Sequence, residues 1–145
     1  KKSHRYFSEG ELKSILQDTL KALSELHQYQ VVHLDVKPEN ILKTFAGRYK
    51  LADLGLCRYA VLTYGEEISE GDGKYMAREI LNNYNHVVPD LQRADVFSLG
   101  MTMFELMSLD TLPYNGLEWH SMRDGAIQER LDALNHLYSC ELIKV

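Results

Sequence analysis

The chain has 145 residues, 45% of them hydrophobic and 26% charged, which is typical of a globular protein with one core. Its formal net charge of -5 argues against binding to a nucleic-acid backbone. The longest apolar run, 96–104, is far shorter than the roughly 20 residues of a membrane-spanning helix, so we expect no membrane contact in this segment. Cys57 and Cys140 have neither metal-site nor disulfide-framework spacing, which indicates reduced thiols in the cytoplasm or nucleus.

The first predicted element is an amphipathic helix over 9–29. Ser8 and Glu11 have the spacing of a capping box, in which each side chain accepts from the other residue's backbone N–H. Apolar residues then recur at helical spacing, so one face of this helix is predicted to be buried. Val31 and Val32 follow as a short strand.

The stretch 33–40 concentrates polar chemistry in one turn. It contains the carboxylate of Asp35, the ammonium of Lys37 and the amide of Asn40, and Pro38 favours a loop over a helix. For any one of these residues, ordinary turn chemistry would explain its presence. Turn chemistry does not explain why all three residues occur together.

Two short strands, 41–43 and 49–52, are predicted after this turn, joined near Gly47. Asn40 precedes the first strand and Asp53 follows the second. A hairpin would therefore bring the two side chains together at one metal site.

These residues match the needs of magnesium-assisted phosphoryl transfer. Asp35 would orient a hydroxyl, Lys37 would neutralise charge on the transferred γ-phosphoryl, and Asn40 and Asp53 would supply oxygen ligands to magnesium. The spacing fits the pattern H-R-D-L-x-x-x-N followed by D-F-G, with Leu34 in place of the arginine.

Beyond the hairpin, the sequence predicts a long irregular segment and then helices. Residues 56–78 are polar and rich in glycine, which is typical of a functional loop. The predicted helices are a short one over 79–85, an apolar and buried one over 93–108, a short one over 117–123, and an amphipathic one over 128–145 in which the chain ends.

With its elements in this order, the chain resembles the C-terminal lobe of a protein kinase. The resemblance is carried by His33 to Leu42, Asp53-Leu54-Gly55, Met76-Ala77-Arg78-Glu79 and Asp95 to Gly100. It implies a mainly α fold with short β-hairpins, part of the α+β kinase fold, with the N-terminal lobe absent. The whole chain, 1–145, would be one partial kinase domain, truncated in its last helix.

Finer features resemble the Wee-type mitotic inhibitor kinases. These features are Leu54, Glu70-Gly71-Asp72 before Lys74-Tyr75-Met76-Ala77, and Asn115 to His120 with Arg123 and Gly125. The resemblance implies an enzyme that uses ATP and magnesium and phosphorylates an inhibitory tyrosine of a cyclin-dependent kinase. It also implies a role in cell-cycle control at mitosis and favours the nucleus as the location.

Two other functions stay open at this point. Lys37, two residues after Asp35, is typical of a serine/threonine kinase. A pseudokinase or docking scaffold would use the helical lobe to bind a partner, although such a protein has no need for Asp35, Asn40 and Asp53 together. Because these 145 residues contain no glycine-rich phosphate loop, we expect them to be inactive by themselves.

Four supporting residues also carry expectations. His33 is expected to pack under the metal motif and bond to the backbone. Leu34 cannot pair with a phosphate, so activity should not require phosphorylation of Thr63, Tyr64 or Ser69. Asp95 is interpreted either as a helix-start cap or, through the resemblance, as a brace for the 33–40 backbone. Trp119 is expected to be partly buried.

Overall fold

The computed structural model describes residues 6–62, 68, 71–81 and 90–143. The helices in this part of the chain are α1 (Glu9–Gln28), α2 (Arg78–Leu81), α3 (Leu91–Ser108), α4 (Gly116–Ser121), α5 (Gln128–Ala133) and α6 (Cys140–Ile143). The strands are β1 (Val31–Val32), β2 (Ile41–Lys43), β3 (Tyr49–Leu51) and β4 (Arg58–Tyr59). The predicted mainly α fold with short β-hairpins is confirmed.

Helix α1 begins at the predicted capping box. The backbone N–H of Glu11 donates to Ser8 Oγ at 3.3 Å, and that of Ser8 donates to Glu11 Oε2 at 3.1 Å. Behind the cap, Leu12, Ile15 and Leu23 are buried and join the main hydrophobic core. Because α1 packs on α3 and β3, the predicted buried face is the one that holds the hairpin in place.

Helix α3 is the centre of the core. It begins two residues earlier than predicted, because Asp90 caps it by accepting from the N–H groups of Gln92 and Arg93. Asp95, one full turn inside the helix, is therefore not the cap. The buried apolar residues of α3 are Leu91, Ala94, Leu99, Met101, Met103, Phe104 and Met107.

The strands form two small antiparallel pairs. In the predicted hairpin, Ile41 of β2 lies opposite Leu51 of β3, and Gly47 takes the left-handed turn conformation at φ 78°. Strand β1 pairs with β4, so that Val31 lies opposite Tyr59. The sequence predicted β1 from its two adjacent valines but not β4, because Arg58 and Tyr59 lie in a stretch interpreted as an irregular loop.

The single helix predicted over 128–145 is wrong. Helix α5 ends at Ala133, and α6 begins only at Cys140. In between, Ser139 donates its backbone N–H and its hydroxyl to the carboxylate of Glu9, at 2.8 and 2.7 Å. This tie to α1 fixes the turn directly before α6, and helical periodicity does not reveal such a contact between distant residues.

Two shorter helices also differ from their predicted bounds. The helix predicted over 117–123 ends at Ser121 and continues as a wide helical turn, Met122–Ala126, in which Gly125 has φ 99°. The helix predicted over 79–85 runs over Arg78–Leu81, and 82–85 lie outside the described residues. Within the described ranges, no helix is both long and apolar enough to cross a membrane.

Candidate active site

The residues 33–40, called the Asp35 loop below, are held from beneath by a buried carboxylate. Asp95 is fully buried and accepts from the backbone N–H groups of His33 and Leu34, at 2.9 and 2.8 Å. Its Oδ2 also lies 2.8 Å from Nε2 of His27. Leu34 has φ 63°, a left-handed conformation that costs a branched residue roughly 1–2 kcal/mol. Asp95 offsets this cost by binding both N–H groups, so it is a brace and not a helix cap.

His33 joins the Asp35 loop to the end of the hairpin. Its ring is fully buried, with Nε2 3.1 Å from the carbonyl oxygen of Ala52. The backbone N–H of Asp35 donates to Nδ1 at 3.3 Å, so Nδ1 accepts and Nε2 carries the proton. The expected structural role of His33 is confirmed. Its ring fixes Asp35 and Ala52 relative to each other.

The carboxylate of Asp35 has two neighbours from its own loop. Lys37 Nζ lies 2.8 Å from Asp35 Oδ2, and Asn40 Nδ2 donates to the same oxygen at 2.9 Å. Asn40 Nδ2 also donates to the backbone carbonyl of Asp35 at 2.8 Å. The hydrogen bond to Asp35 raises the pKa of Lys37, so its ammonium stays charged. Three predicted site residues therefore meet at one carboxylate.

Helix α3 supports this loop at a second point. Thr102, which is fully buried, has its hydroxyl oxygen 3.2 Å from the carbonyl oxygen of Val36 and 2.8 Å from that of Ser98. Val36 itself is fully buried in the main core. The side chains of Asp35 and Lys37 are thus anchored on either side of a core residue.

The hairpin brings the fourth predicted residue to the same place. The N–H of Ala52 donates to the carbonyl of Asn40 at 2.8 Å, so Asp53 follows directly beyond Asn40. Asp53 is exposed, has φ 62°, and accepts from the N–H of Gly55 at 3.2 Å. A non-glycine residue held in this region is typical of functional sites.

The donor set fits magnesium bound through phosphates. Because Asn40 Nδ2 is used toward Asp35, its Oδ1 is the atom left for a cation, and Asp53 offers a carboxylate oxygen. Within the described residues, no group of three or more histidine, cysteine or acidic side chains is arranged to hold a metal. Magnesium commonly needs only one or two protein oxygens, because substrate phosphates and water complete its octahedron.

The backbone of residues 71–77, called the anchored segment below, closes the site from the opposite side. The N–H of Asp72 points at Asp35 Oδ1 at 3.4 Å. A Cβ atom on Gly71 would overlap the carbonyl oxygen of Leu34 and lie 3.5 Å from Asp35 Oδ1. Only glycine therefore allows this approach.

Sequence reasoning anticipates this side of the site only in part. The acidic run Glu66, Glu67, Glu70 and Asp72 predicts a solvated loop face, with placement of the substrate loop by Asp72 as the less favoured alternative, and its first three members lie outside the described residues. Asp72 is instead half-buried, and its carboxylate accepts from the N–H of Lys74 at 3.1 Å. The glycine before it is the available signal, because a glycine in a loop often marks a close backbone approach.

A family model described as the protein kinase domain matches residues 1–142, which is nearly the whole chain. The chain therefore belongs to the protein kinase domain family.

Among curated proteins, the chain is similar to kinases of the Wee type. It is 39% identical over 124 residues to the mitosis inhibitor protein kinase mik1 of Schizosaccharomyces pombe, covering 86% of this chain and 20% of that protein. It is 38% identical over 126 residues to the membrane-associated tyrosine- and threonine-specific cdc2-inhibitory kinase wee-1.3 of Caenorhabditis elegans, covering 86% and 18%.

A third relative is a probable protein kinase of Dictyostelium discoideum, 40% identical over 110 residues, which cover 76% of this chain and 29% of that protein. The chain thus spans less than a third of the length of the relatives it matches.

Proposed function

We propose that the protein carrying this domain is an ATP-dependent protein kinase of the Wee type. The observation that carries the proposal is the convergence of Lys37, Asn40 and the Asp72 N–H on the carboxylate of Asp35. The hairpin adds Asp53 beside Asn40. An arrangement that positions a hydroxyl, a cation and a metal within one small site suits phosphoryl transfer, which depends on positioning and electrostatics.

Each residue has a distinct role in this proposal. Asp35 orients the acceptor hydroxyl and receives its proton. Lys37, held charged by Asp35, stabilises negative charge on the transferred phosphoryl. Asn40 and Asp53 would hold magnesium, which would neutralise negative charge on the phosphates of ATP.

We further propose that the acceptor is an inhibitory tyrosine of a cyclin-dependent kinase. Support comes from the Wee-type sequence features and from two relatives whose names describe a mitosis inhibitor kinase and a tyrosine- and threonine-specific cdc2-inhibitory kinase. The same support favours a place in cell-cycle control, and the Wee-type sequence features favour the nucleus as the location. A serine/threonine kinase is the second candidate, because Lys37 contacts Asp35 directly, as that chemistry uses it.

The test is phosphoryl transfer by the full-length protein to a catalytically inactive cyclin-dependent kinase–cyclin complex, with magnesium and labelled ATP. Asp35→Asn should lower the rate by about 100-fold or more, because the variant cannot take the hydroxyl proton. Glu39→Gln is the matched control, since Glu39 is an exposed acid in the same turn, and it should retain the wild-type rate.

Phosphoamino-acid analysis of the product separates the candidates. Phosphotyrosine supports the Wee-type assignment, whereas phosphoserine or phosphothreonine alone favours the second candidate. If the wild-type protein transfers no phosphate, and the Asp35→Asn variant binds the complex as well as the wild type does, the scaffold interpretation replaces the enzyme.

A further inference from the structure

A second set of polar contacts lies next to the site and is not explained by phosphoryl transfer itself. Arg123 is half-buried, and its guanidinium donates almost entirely to backbone carbonyls. Nε donates to the oxygen of Met76 at 2.9 Å, and Nη2 lies 2.9 and 3.2 Å from the oxygens of Lys74 and Gly73. Nη1 donates to the oxygen of Trp119 at 3.2 Å. Three of these four carbonyls belong to the anchored segment.

Trp119 takes part in the same arrangement. Its side chain is 3% exposed, which is more buried than the sequence predicted. Its Nε1–H donates to the Gly73 oxygen at 2.7 Å, and its ring lies 3.6 Å from the Arg123 guanidinium carbon. Phe97 of α3 faces that guanidinium at 5.6 Å. The cation is thus held between aromatic rings, which orients its planar donors.

The guanidinium of Arg123 is compensated by the dipoles of backbone carbonyls. Among the described residues, no carboxylate forms an ion pair with it; burial lowers its pKa to about 10, so it remains charged near neutral pH. A charged group is costly to bury without partners, so its carbonyl contacts are the compensation. Losing them would release the anchored segment.

We propose that Arg123 and Trp119 form a clamp that positions the anchored segment against Asp35 and so sets the binding of the protein acceptor. The link runs through Gly73 to Asp72, whose N–H points at Asp35, and to Gly71, which packs on the Leu34 carbonyl. Both clamp residues act through the backbone and are positioning residues. The acceptor part of this inference rests on the proposed function.

The clamp also explains how the anchored segment can be held without phosphorylation. An arginine in the Asp35 loop could hold such a segment by a charge-assisted contact with a phosphate group on the segment. Here Leu34 occupies that loop position, and its partly buried side chain packs on the cluster that includes Met76 and Ala77. The cation is supplied instead by Arg123, which binds carbonyls that are always present.

The test compares Arg123→Lys, Trp119→Phe and the control Arg130→Lys in the full-length protein. Lysine keeps the charge of Arg123 but not its fork of donors, and phenylalanine keeps the ring of Trp119 but not its N–H. Arg130 lies in α5 and forms an exposed ion pair with Glu118, so Arg130→Lys makes the same chemical change away from the segment.

The first readout is hydrogen exchange of the peptide spanning 71–77. Arg123→Lys should speed its exchange by about 10-fold and Trp119→Phe by about 3-fold, the loss expected for one or more hydrogen bonds. Exchange in α1 should not change. Unchanged exchange in 71–77 for both variants would overturn the clamp.

The second readout is steady-state kinetics on the inactive cyclin-dependent kinase–cyclin complex. Arg123→Lys should lower kcat/KM for this acceptor by about 10-fold and leave the KM for magnesium-ATP within about 2-fold. An equal loss toward both substrates would show general structural damage and refute an acceptor role.

The two proposals fail in different ways. If the wild-type protein does not phosphorylate the complex, the proposed function and the acceptor role fall together. The exchange readout in 71–77 still decides whether Arg123 and Trp119 anchor the segment.

Discussion

The Asp35 loop and the anchored segment face each other across the site, and they are held by opposite charges. The loop is fixed through its N–H groups by the carboxylate of Asp95, whereas the segment is fixed through its carbonyls by the guanidinium of Arg123. Asp95 is fully buried within α3, but Arg123 is only half-buried beyond α4. A fully buried side chain thus binds the backbone of the loop, and a half-buried one binds the backbone of the segment, whose Tyr75, Met76 and Ala77 are themselves buried.

This difference indicates which part of the site needs a rigid backbone. Three of the four side chains proposed for chemistry, those of Asp35, Lys37 and Asn40, project from the loop that α3 supports at both Asp95 and Thr102. The anchored segment contacts Asp35 only through its backbone, and its own carbonyls are bound by the side chains of Arg123 and Trp119. The two sides should therefore respond differently to substitution and to pH.

The largest expected effect is on the brace. Asp95→Asn keeps the size of the side chain but replaces one acceptor oxygen by a donor that faces a backbone N–H or the ring of His27. We expect the free energy of opening of α3 and the Asp35 loop to fall by about 3 kcal/mol. Native-state hydrogen exchange of the two regions measures this loss.

Asp90→Asn is the control for that experiment. Asp90 caps the same helix from an exposed position, and asparagine caps helices about as well as aspartate. If the two variants were equally stable, the buried brace would be no more important than a cap.

The next largest effect is expected at the contact between the anchored segment and the Asp35 loop. Gly71→Ala forces the segment away from the Leu34 carbonyl and from Asp35. A displacement of about 1 Å at a reacting group can cost about 100-fold in kcat, or roughly 2.7 kcal/mol in activation free energy. The rate of phosphoryl transfer under saturating ATP measures it.

Gly73→Ala provides the matched comparison, because a Cβ there would meet nothing closer than 3.6 Å. It should retain most of the wild-type kcat. Equal rates for Gly71→Ala and the wild type would show that the close approach is unnecessary.

The smallest expected effect is on the pH dependence of the hairpin's stability. Asp18 accepts from Arg48 Nε at 3.0 Å and from the Tyr49 N–H at 2.9 Å, which ties the hairpin to α1. The hydrogen bond from Arg48, followed by that from Tyr49, lowers the pKa of Asp18 from 3.8 to about 2.

Because the folded pKa is the lower one, Asp18 stabilises the fold above the unfolded pKa, and this contribution is lost as pH falls from about 4 to 2. Asp18→Asn should therefore flatten the acid dependence of hairpin exchange in that range, whereas the exposed Glu129→Gln should not. The clamp should keep its charge throughout, since the pKa of Arg123 is about 10. An acid dependence unchanged by Asp18→Asn would contradict this assignment.

Much of the site was predictable because it is local. Asp35, Lys37 and Asn40 lie within six residues, and a hairpin of predictable length returns Asp53 to them. The capping box of α1 and the apolar α3 were predictable for the same reason, since capping and periodicity are short-range signals. The roles of the four site residues remain predictions that the proposed experiments test.

What the sequence missed depends on contacts between distant residues. Glu9 binds Ser139 in the stretch between α5 and α6, where periodicity would continue a single helix, and β4 forms only as the partner of β1. Neither pairing leaves a local pattern. For Asp95, the family resemblance gave a brace for the 33–40 backbone as one of two interpretations, and the structure shows that brace.

The sequence by itself determined the family, the fold class and the residues that could carry phosphoryl transfer, because these depend on residue type at short spacing. Only the tertiary structure decided how the site is held. It placed Asp95 under the Asp35 loop, 61 residues along the chain from Leu34, and Arg123 behind the anchored segment, 50 residues from Gly73. A charged side chain binds whichever backbone groups the packing of helices brings to it, and that packing is set by the core as a whole.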